Sequence, residues 1–425
     1  KCTPEKIFHP ANLQDLREVV IQAKENKKKI RCAASGHTWS SLSVTSGYLV
    51  VVDNLNAIEI KFNEKLDSWT VSVEAGVYLK NLDKALRSHD PPLSMDSSVV
   101  LNTVTAGADG ELREFSDDID EIEMSAARVN LGLLGIIYKL TFIVEPMFKL
   151  RMIDIIEPMS SIWNSPSLKS LVDSSDSIEV FYWPFNSSGL KPENDKIWIK
   201  QYLRTMDMPT VDAVEEKTKQ VFQSHELEFG DYLYDFMAKE PKSTPFLDHL
   251  LFTTAINHQA DQILEAPDAI HWQAGIDAIK CQDLEFAIKL DKEFKIAIEE
   301  IYEYAAKKIY PLNLSVEFRI NKSSQNLLAP TYDPDPNAYF ILIEVLSVNG
   351  TEHFQEFSIE LAKRWMELYD ARPHWAKLWE HVPEIIPYIK KHLGERGKKF
   401  ENIRNKYDPE QMFFDNKSLK EILLD

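Results

Sequence analysis

Apolar residues recur with helical spacing at Leu13, Leu16, Val20 and Ala23, and a strand-like run follows over 29–34, so the chain opens as a helix and then a strand. A second strand is predicted over 48–53. Over 68–74 the pattern alternates, placing Trp69, Val71 and Val73 on one face. Leu79, Leu82 and Leu86 share one side of a helix over 79–88, which Asp90-Pro91-Pro92 stops. Ser116-Asp117-Asp118 predict the cap of a helix running to Arg128, and a glycine-bearing connection over 131–137 precedes a strand over 138–144.

Glu145-Pro146 reads as a boundary, and 425 residues exceed what one core usually supports. The expected division is a first domain over 1–146, a second over 147–387, and a tail over 388–425 that returns to the first with a helix near 395–405. Strands over 177–183, 196–203, 314–320 and 338–347 would form the second domain's central sheet. Long helices near 284–308 and 354–370 would cover it. The chain has no internal repeat and no low-complexity tract.

Composition narrows the class. With 44% hydrophobic and 11% aromatic residues the chain can bury a large core, as a soluble enzyme does. Its 48 basic and 67 acidic side chains give a net charge of −19, which opposes phosphate backbones and anionic lipid, so nucleic acid is a poor partner. The basic cluster from Lys24 to Lys29 suits the carboxyl end of a helix. Three scattered cysteines make neither a disulfide framework nor a zinc site, and no metal is expected. No stretch reaches the roughly eighteen apolar residues of a membrane span, and Lys1 opens without a charged-then-apolar signal.

Candidate chemistry falls in three places. The small-residue turn Ser35-Gly36-His37-Thr38-Trp39-Ser40-Ser41 lets backbone N–H groups and hydroxyls approach an anion, with an imidazole at its centre. In Ser315-Val316-Glu317-Phe318-Arg319-Ile320, Glu317 and Arg319 are two apart and share a strand face. Neighbouring opposite charge would keep Glu317 ionised, and Arg319 offers planar donors. The alternative is an exposed ion pair of little worth; the apolar alternation of Phe318 and Ile320 instead suits a sheet with one face lining a pocket. In Pro373-His374-Trp375-Ala376-Lys377, the imidazole and ammonium are three apart and would share one helical turn. Gly132 and Gly135 permit close backbone approach. Phe181-Tyr182-Trp183-Pro184-Phe185 is a pocket wall or, with more weight, simply core.

These segments, with Tyr407-Asp408-Pro409-Glu410-Gln411-Met412-Phe413, resemble the aldonolactone oxidoreductase branch of the vanillyl-alcohol-oxidase type flavoproteins, which includes gulonolactone, arabinonolactone and galactonolactone enzymes and the alditol oxidases. The resemblance runs from about residue 10 to 145 and from about 312 to the end. It implies an α+β fold: an FAD-binding domain of two small α/β subdomains, and a substrate domain on a mainly antiparallel sheet covered by helices. It implies FAD, with His37 at the position through which many members bond to it covalently, and contacts from Ser35, Gly36, Thr38, Trp39, Ser40, Ser41, Ser98, Gly132, Gly135 and Ile136.

The implied reaction oxidises an alcohol carbon of a sugar lactone or polyol by hydride transfer to flavin N5, with oxygen or another acceptor taking the electrons. Glu317 or His374 would accept the hydroxyl proton, Arg319 would orient the substrate, and Lys377 would face the charge that develops on the flavin. Two departures stand out. Ala34 replaces a frequent glycine. After the counterpart of Ser98 the family inserts several tens of Thr- and Gly-rich residues with a His-Gly pair, whereas here the chain passes directly to a strand and the turn Ala106-Gly107-Ala108-Asp109-Gly110-Glu111. Either a segment is missing from this sequence, which the intact flanking motifs favour, or part of the cofactor cradle is lost. The residue governing oxygen access lies in that segment, so oxidase and dehydrogenase stay open. A flavin-free binding module and a flavin oxidase for another small alcohol are the competing readings.

Overall fold

Asn12 caps the helix Leu13–Glu25 by accepting from the Asp15 amide, and this helix buries Leu16, Val19, Val20 and Ala23. They pack against Ile30 of β2 (Ile30–Ala33), Tyr48 and Val50 of β3 (Tyr48–Val51), and Met412 and Phe413 near the carboxyl end. The computed structural model describes residues 2–95, 100–187, 191–210, 232, 235–255, 261–270 and 280–424. It divides into two compact units, one of Lys1–Met147, Gln325–Tyr332 and Glu384–Asp425, the other of Phe148–Ser324 and Asp333–Pro383.

The first unit holds two sheets. β1 (Lys6–Phe8), β3 and β2 form a parallel three-stranded sheet in the order β1-β3-β2. β4 (Ile58–Asn63), β5 (Ser68–Glu74), β7 (Val100–Ala106), β8 (Leu112–Ser116) and β9 (Ile136–Pro146) form the second, in the order β4-β5-β9-β7-β8, with β6 (Leu93–Ser94) pairing β9. The helix over 121–128 is capped by Asp120, which accepts from the Ile122 and Glu123 amides, rather than by the expected Ser116-Asp117-Asp118. Ser116 instead ends β8, where it pairs with Asn102. The long helix Ile385–Tyr407 breaks its own geometry at Gly394 (φ 49°).

The second unit is built on one eight-stranded antiparallel sheet: β10 (Lys149–Pro158), β11 (Ser177–Tyr182), β12 (Lys196–Thr205), β13 (Asp261–Glu265), β14 (Cys281–Lys289), β15 (Val316–Lys322), β16 (Tyr339–Val348) and β17 (Arg372–Pro373). Their order is β13-β10-β12-β11-β15-β16-β14-β17. The expected helix over 284–308 is corrected here: Cys281–Lys289 is a strand, and the helix is only Lys295–Ala306. Leu284, Phe286 and Ile288 alternate with Asp283, Glu285 and Ala287. That period of two wins because both faces of the strand are buried.

Pairing sets the two faces of this sheet. One cross-strand row is Phe286, Ile343, Phe318 and Val180, buried beneath the helices Lys295–Ala306 and Phe354–Tyr369 with contacts such as Phe286 to Trp365 and Phe318 to Phe294. The neighbouring row is Glu285, Glu344, Glu317 and Phe181. An apolar face and a carboxylate face therefore lie back to back on the same four strands.

Candidate functional site

In the first unit, Ala34 to His37 are exposed, and Gly36 adopts a left-handed conformation (φ 79°) with open space where a Cβ would point. Among the described residues the Ser35, Gly36 and His37 amides donate to no protein group. Thr38 and Ser40 hydroxyls lie 3.0 Å apart, and Ser41 is held from the carboxyl end by the Asn416 side-chain amide, 2.8 Å from its hydroxyl. Trp39 is half-buried, and Ser98 lies outside the described residues.

Beneath this loop lies a residue that sequence reasoning passed over. Arg31 is buried, and all five of its N–H donors meet backbone carbonyls: Nε to Leu42 (2.7 Å), Nη1 to Gly132 (3.1 Å) and Phe413 (2.9 Å), Nη2 to Leu131 (2.8 Å) and Leu42. One guanidinium thus ties the end of the 35–41 turn, the 131–132 connection and the carboxyl-terminal motif together. Burial pulls its pKa down to about 10, so it stays charged at neutral pH. Gly135 (φ 107°) abuts β7, where an added Cβ would sit 2.6 Å from the Ala106 carbonyl. Gly132 is also left-handed, whereas the Ile136 side chain lies in the core with Ala106.

In the second unit the carboxylate face gathers Glu317, Arg319, His374 and Lys377, together with Asp283, Glu285 and Glu344. Arg319 Nε donates to Glu285 Oε1 (3.1 Å), and Nη2 donates to both Glu285 oxygens (2.5 and 2.6 Å) and reaches Glu344 (3.4 Å). Glu285 is fully buried while the Arg319 side chain is 48% exposed, and its Nη1 has no protein partner among the described residues. The guanidinium is anchored on one edge and open on the other.

Lys377 Nζ donates to Glu344 Oε1 at 2.5 Å and to Asp283 Oδ2. His374 and Lys377 were expected on one helical turn, but the chain is non-helical there: the Lys377 amide donates to the His374 carbonyl in a turn that follows β17. Both side chains still reach the carboxylate cluster, Lys377 at Asp283 and Glu344 and His374 nearest Glu285. His374 Nδ1 stops 3.6 Å from Glu285, too far for a hydrogen bond, and burial with Arg319 and Lys377 nearby holds its pKa down at about 4.

Glu317 overturns the expectation that Arg319 keeps it ionised. Arg319 directs Nε and Nη2 to Glu285 and Glu344, and among the described residues Glu317 receives only a long contact from the Ser315 hydroxyl, 3.4 Å away. Loss of solvation and then the adjacent Glu344 carboxylate push its pKa up to about 7. Phe181 stands directly across from it on β11, with Trp198 next in register on β12, 5.4 Å from the Phe181 ring. The aromatic cluster is therefore split: Tyr182 packs under the helices against Phe318, whereas Phe181 borders the carboxylates.

Asp283, Glu285 and Glu344 were missed for different reasons. Glu285 sat in the segment read as helix and Asp283 just before it, and Glu344 is the one charge within the apolar run Tyr339–Val348. A buried acid inside such a run is costly without a partner, and that cost was the available signal. Among the described residues no cluster of three or more His, Cys, Asp or Glu could hold a metal, the cysteines are free, and no helix is long and apolar enough to cross a membrane.

Comparison with known proteins adds lineage to this geometry. Residues 140–421 match the family model described as D-arabinono-1,4-lactone oxidase, and residues 4–127 match an FAD binding domain. The chain is 23% identical to L-gulonolactone oxidase of Scyliorhinus torazame, covering 98% of this chain and 94% of that one. It is 20% identical to L-gulono-1,4-lactone dehydrogenase of Mycobacterium tuberculosis, covering 98% and 95%. Among solved structures, cholesterol oxidase from B. sterolicum superposes with a TM-score of 0.72 at 17% identity, over 98% of this chain and 94% of that one.

Proposed function

The chain belongs to the D-arabinono-1,4-lactone oxidase family, and we propose that its carboxylate face binds an aldono-1,4-lactone and takes the proton from the substrate hydroxyl whose carbon is oxidised. The flavin-free module and the unrelated-alcohol oxidase find no support in this lineage. The observation that carries the reading is Glu317: a carboxylate with a pKa of about 7 beside a guanidinium with one free edge. A base titrating near the working pH is matched to hydroxyl deprotonation.

FAD is the family's cofactor, and the residues present suit it on the pyrophosphate side. Three adjacent amides without partners among the described residues, on a turn left open by Gly36, offer N–H donors to an anion. The Ser35 to Ser41 turn would hold the pyrophosphate, Gly132 and Gly135 would allow close backbone approach, and His37 would supply the covalent attachment. Bound FAD supplies the hydride acceptor. Glu317 accepts the proton that leaves as the carbonyl forms, and Arg319 Nη1 orients a lactone oxygen. His374, held neutral, suits a hydrogen bond to substrate better than proton abstraction. Lys377 keeps a fixed positive charge at the face, of the kind that stabilises developing negative charge without reorganisation.

The relatives carry both oxidase and dehydrogenase names, so the electron acceptor is oxygen or another oxidant. Anaerobic mixing of the FAD-loaded protein with D-arabinono-1,4-lactone or L-gulono-1,4-lactone should bleach the flavin absorbance. Readmitting air with stoichiometric peroxide would assign the oxidase. Absence of bleaching with every aldonolactone, in protein that has bound FAD, would refute the substrate class.

A further inference from the structure

The carboxylate face carries more acid than its cations can balance. Among the described residues Asp283, Glu285 and Glu344 are paired with Arg319 and Lys377, Glu317 has no ion pair, and His374 is neutral. Arg319 is committed mainly to Glu285, which it grips through both oxygens. Lys377 is shared by Asp283, fully buried, and Glu344, nearly so. Those two carboxyl groups converge on one ammonium, at Asp283 Oδ2 and at Glu344 Oε1, and a carboxyl can bond to a carboxylate only through a proton.

We propose that Asp283 and Glu344 share one proton and hold the Lys377 ammonium together as a single anion, so that Glu317 is left as the one carboxylate of the cluster without a cation of its own. Asp283 is on this view a positioning residue. It fixes Lys377 and sets the charge next to Glu317 without touching substrate. Burial and the neighbouring Glu344 raise Asp283 well above the ordinary carboxylate range, whereas Lys377 and the hydrogen bond from Asp283 lower Glu344. The proton therefore resides on Asp283.

The surroundings of the pair are charged on several sides. β14 brings Cys281 and Glu285, β15 brings Glu317 and Arg319, and the turn after β17 brings His374. On β11, Glu179 is engaged by the Tyr202 hydroxyl at 2.8 Å. With two ionised carboxylates on one ammonium the buried cluster would carry an uncompensated charge, which is far costlier than binding one proton.

The inference deepens the reading of Glu317 as the base, but its test does not need substrate. Infrared difference spectra of the FAD-loaded protein at pH 8.5, wild type minus Asp283→Asn, should show loss of one protonated-carboxyl C=O band, with the carboxylate bands unchanged. Glu344→Gln should remove the same protonated band, because Asp283 then ionises to hold Lys377, and this variant serves if the first does not fold. In both, the new amide replaces the shared proton as donor. Loss of a carboxylate band alone, in whichever variant folds, would mean that both acids are ionised and would overturn the proposal. An aldonolactone reaction that fails while the protonated band is lost as stated would sink the function but leave this inference standing.

Discussion

Glu317 and Glu344 face each other in register across the antiparallel strands β15 and β16, on the side of the sheet opposite the covering helices. Glu344 has Lys377 at 2.5 Å, and Glu317 has no such partner among the described residues. Two acids on one partly desolvated face cannot ionise equally, so the one with the ammonium takes the charge and the other is held up at about 7.

The raised pKa makes stability depend on pH. The folded value of about 7 lies above the ordinary value of roughly 4.3, so between these the folded state binds more protons than the unfolded chain. Stability from this group is fully present below the lower value and is lost as pH climbs through the upper one. Glu317→Gln should remove that loss. Its unfolding free energy should exceed that of wild type at pH 8.5 by on the order of 1 to 3 kcal/mol more than at pH 5, measured by denaturant titration.

Arg319 anchors a fully buried acid, so its removal should be felt in the fold as well as in binding. Arg319→Met leaves Glu285 without its bidentate partner and should cost about 3 to 5 kcal/mol in denaturant unfolding. Arg319→Lys should recover much of the stability yet keep a raised KM, because an ammonium cannot hold Glu285 and present a second planar edge to substrate.

His37 sits exposed at the centre of the open turn. If it tethers FAD, wild-type protein precipitated with acid should retain yellow colour in the pellet. His37→Ala should release all of it to the supernatant. Complete release from wild type would limit the cofactor to non-covalent binding.

Arg31 joins three segments through carbonyls alone, and no other side chain supplies five donors in one plane. Arg31→Lys should weaken FAD retention at least tenfold in ultrafiltration assays and lower the melting temperature. An unchanged affinity would separate this arginine from the cofactor loop it underlies.

Much of this architecture was legible in the sequence where one period dominated. Val71 and Val73 on β5, Leu82 and Leu86 on the following helix, and Glu317 with Arg319 on β15 lie where alternation or helical spacing puts them. β14 was misread because Leu284, Ala287 and Ile288 also satisfy helical spacing, and the error hid Asp283 and Glu285. The ion-pair partner of Arg319 was misassigned for a related reason: Glu285 is 34 residues away, so local sequence suggested Glu317 instead. Spacing along one strand gives the shared face, whereas the pairing of charges depends on which strands become neighbours.

The pH dependence of kcat/KM for an aldonolactone, measured with wild type and Glu317→Gln both loaded with FAD, decides whether Glu317 is the base. Wild type should rise with pH through about 7 as Glu317 loses its proton. The variant should fall by about 10² to 10⁴ and lose that rise, the range a positioned base contributes. A variant that retains wild-type turnover and the same rising limb would contradict the assignment of Glu317 as the base.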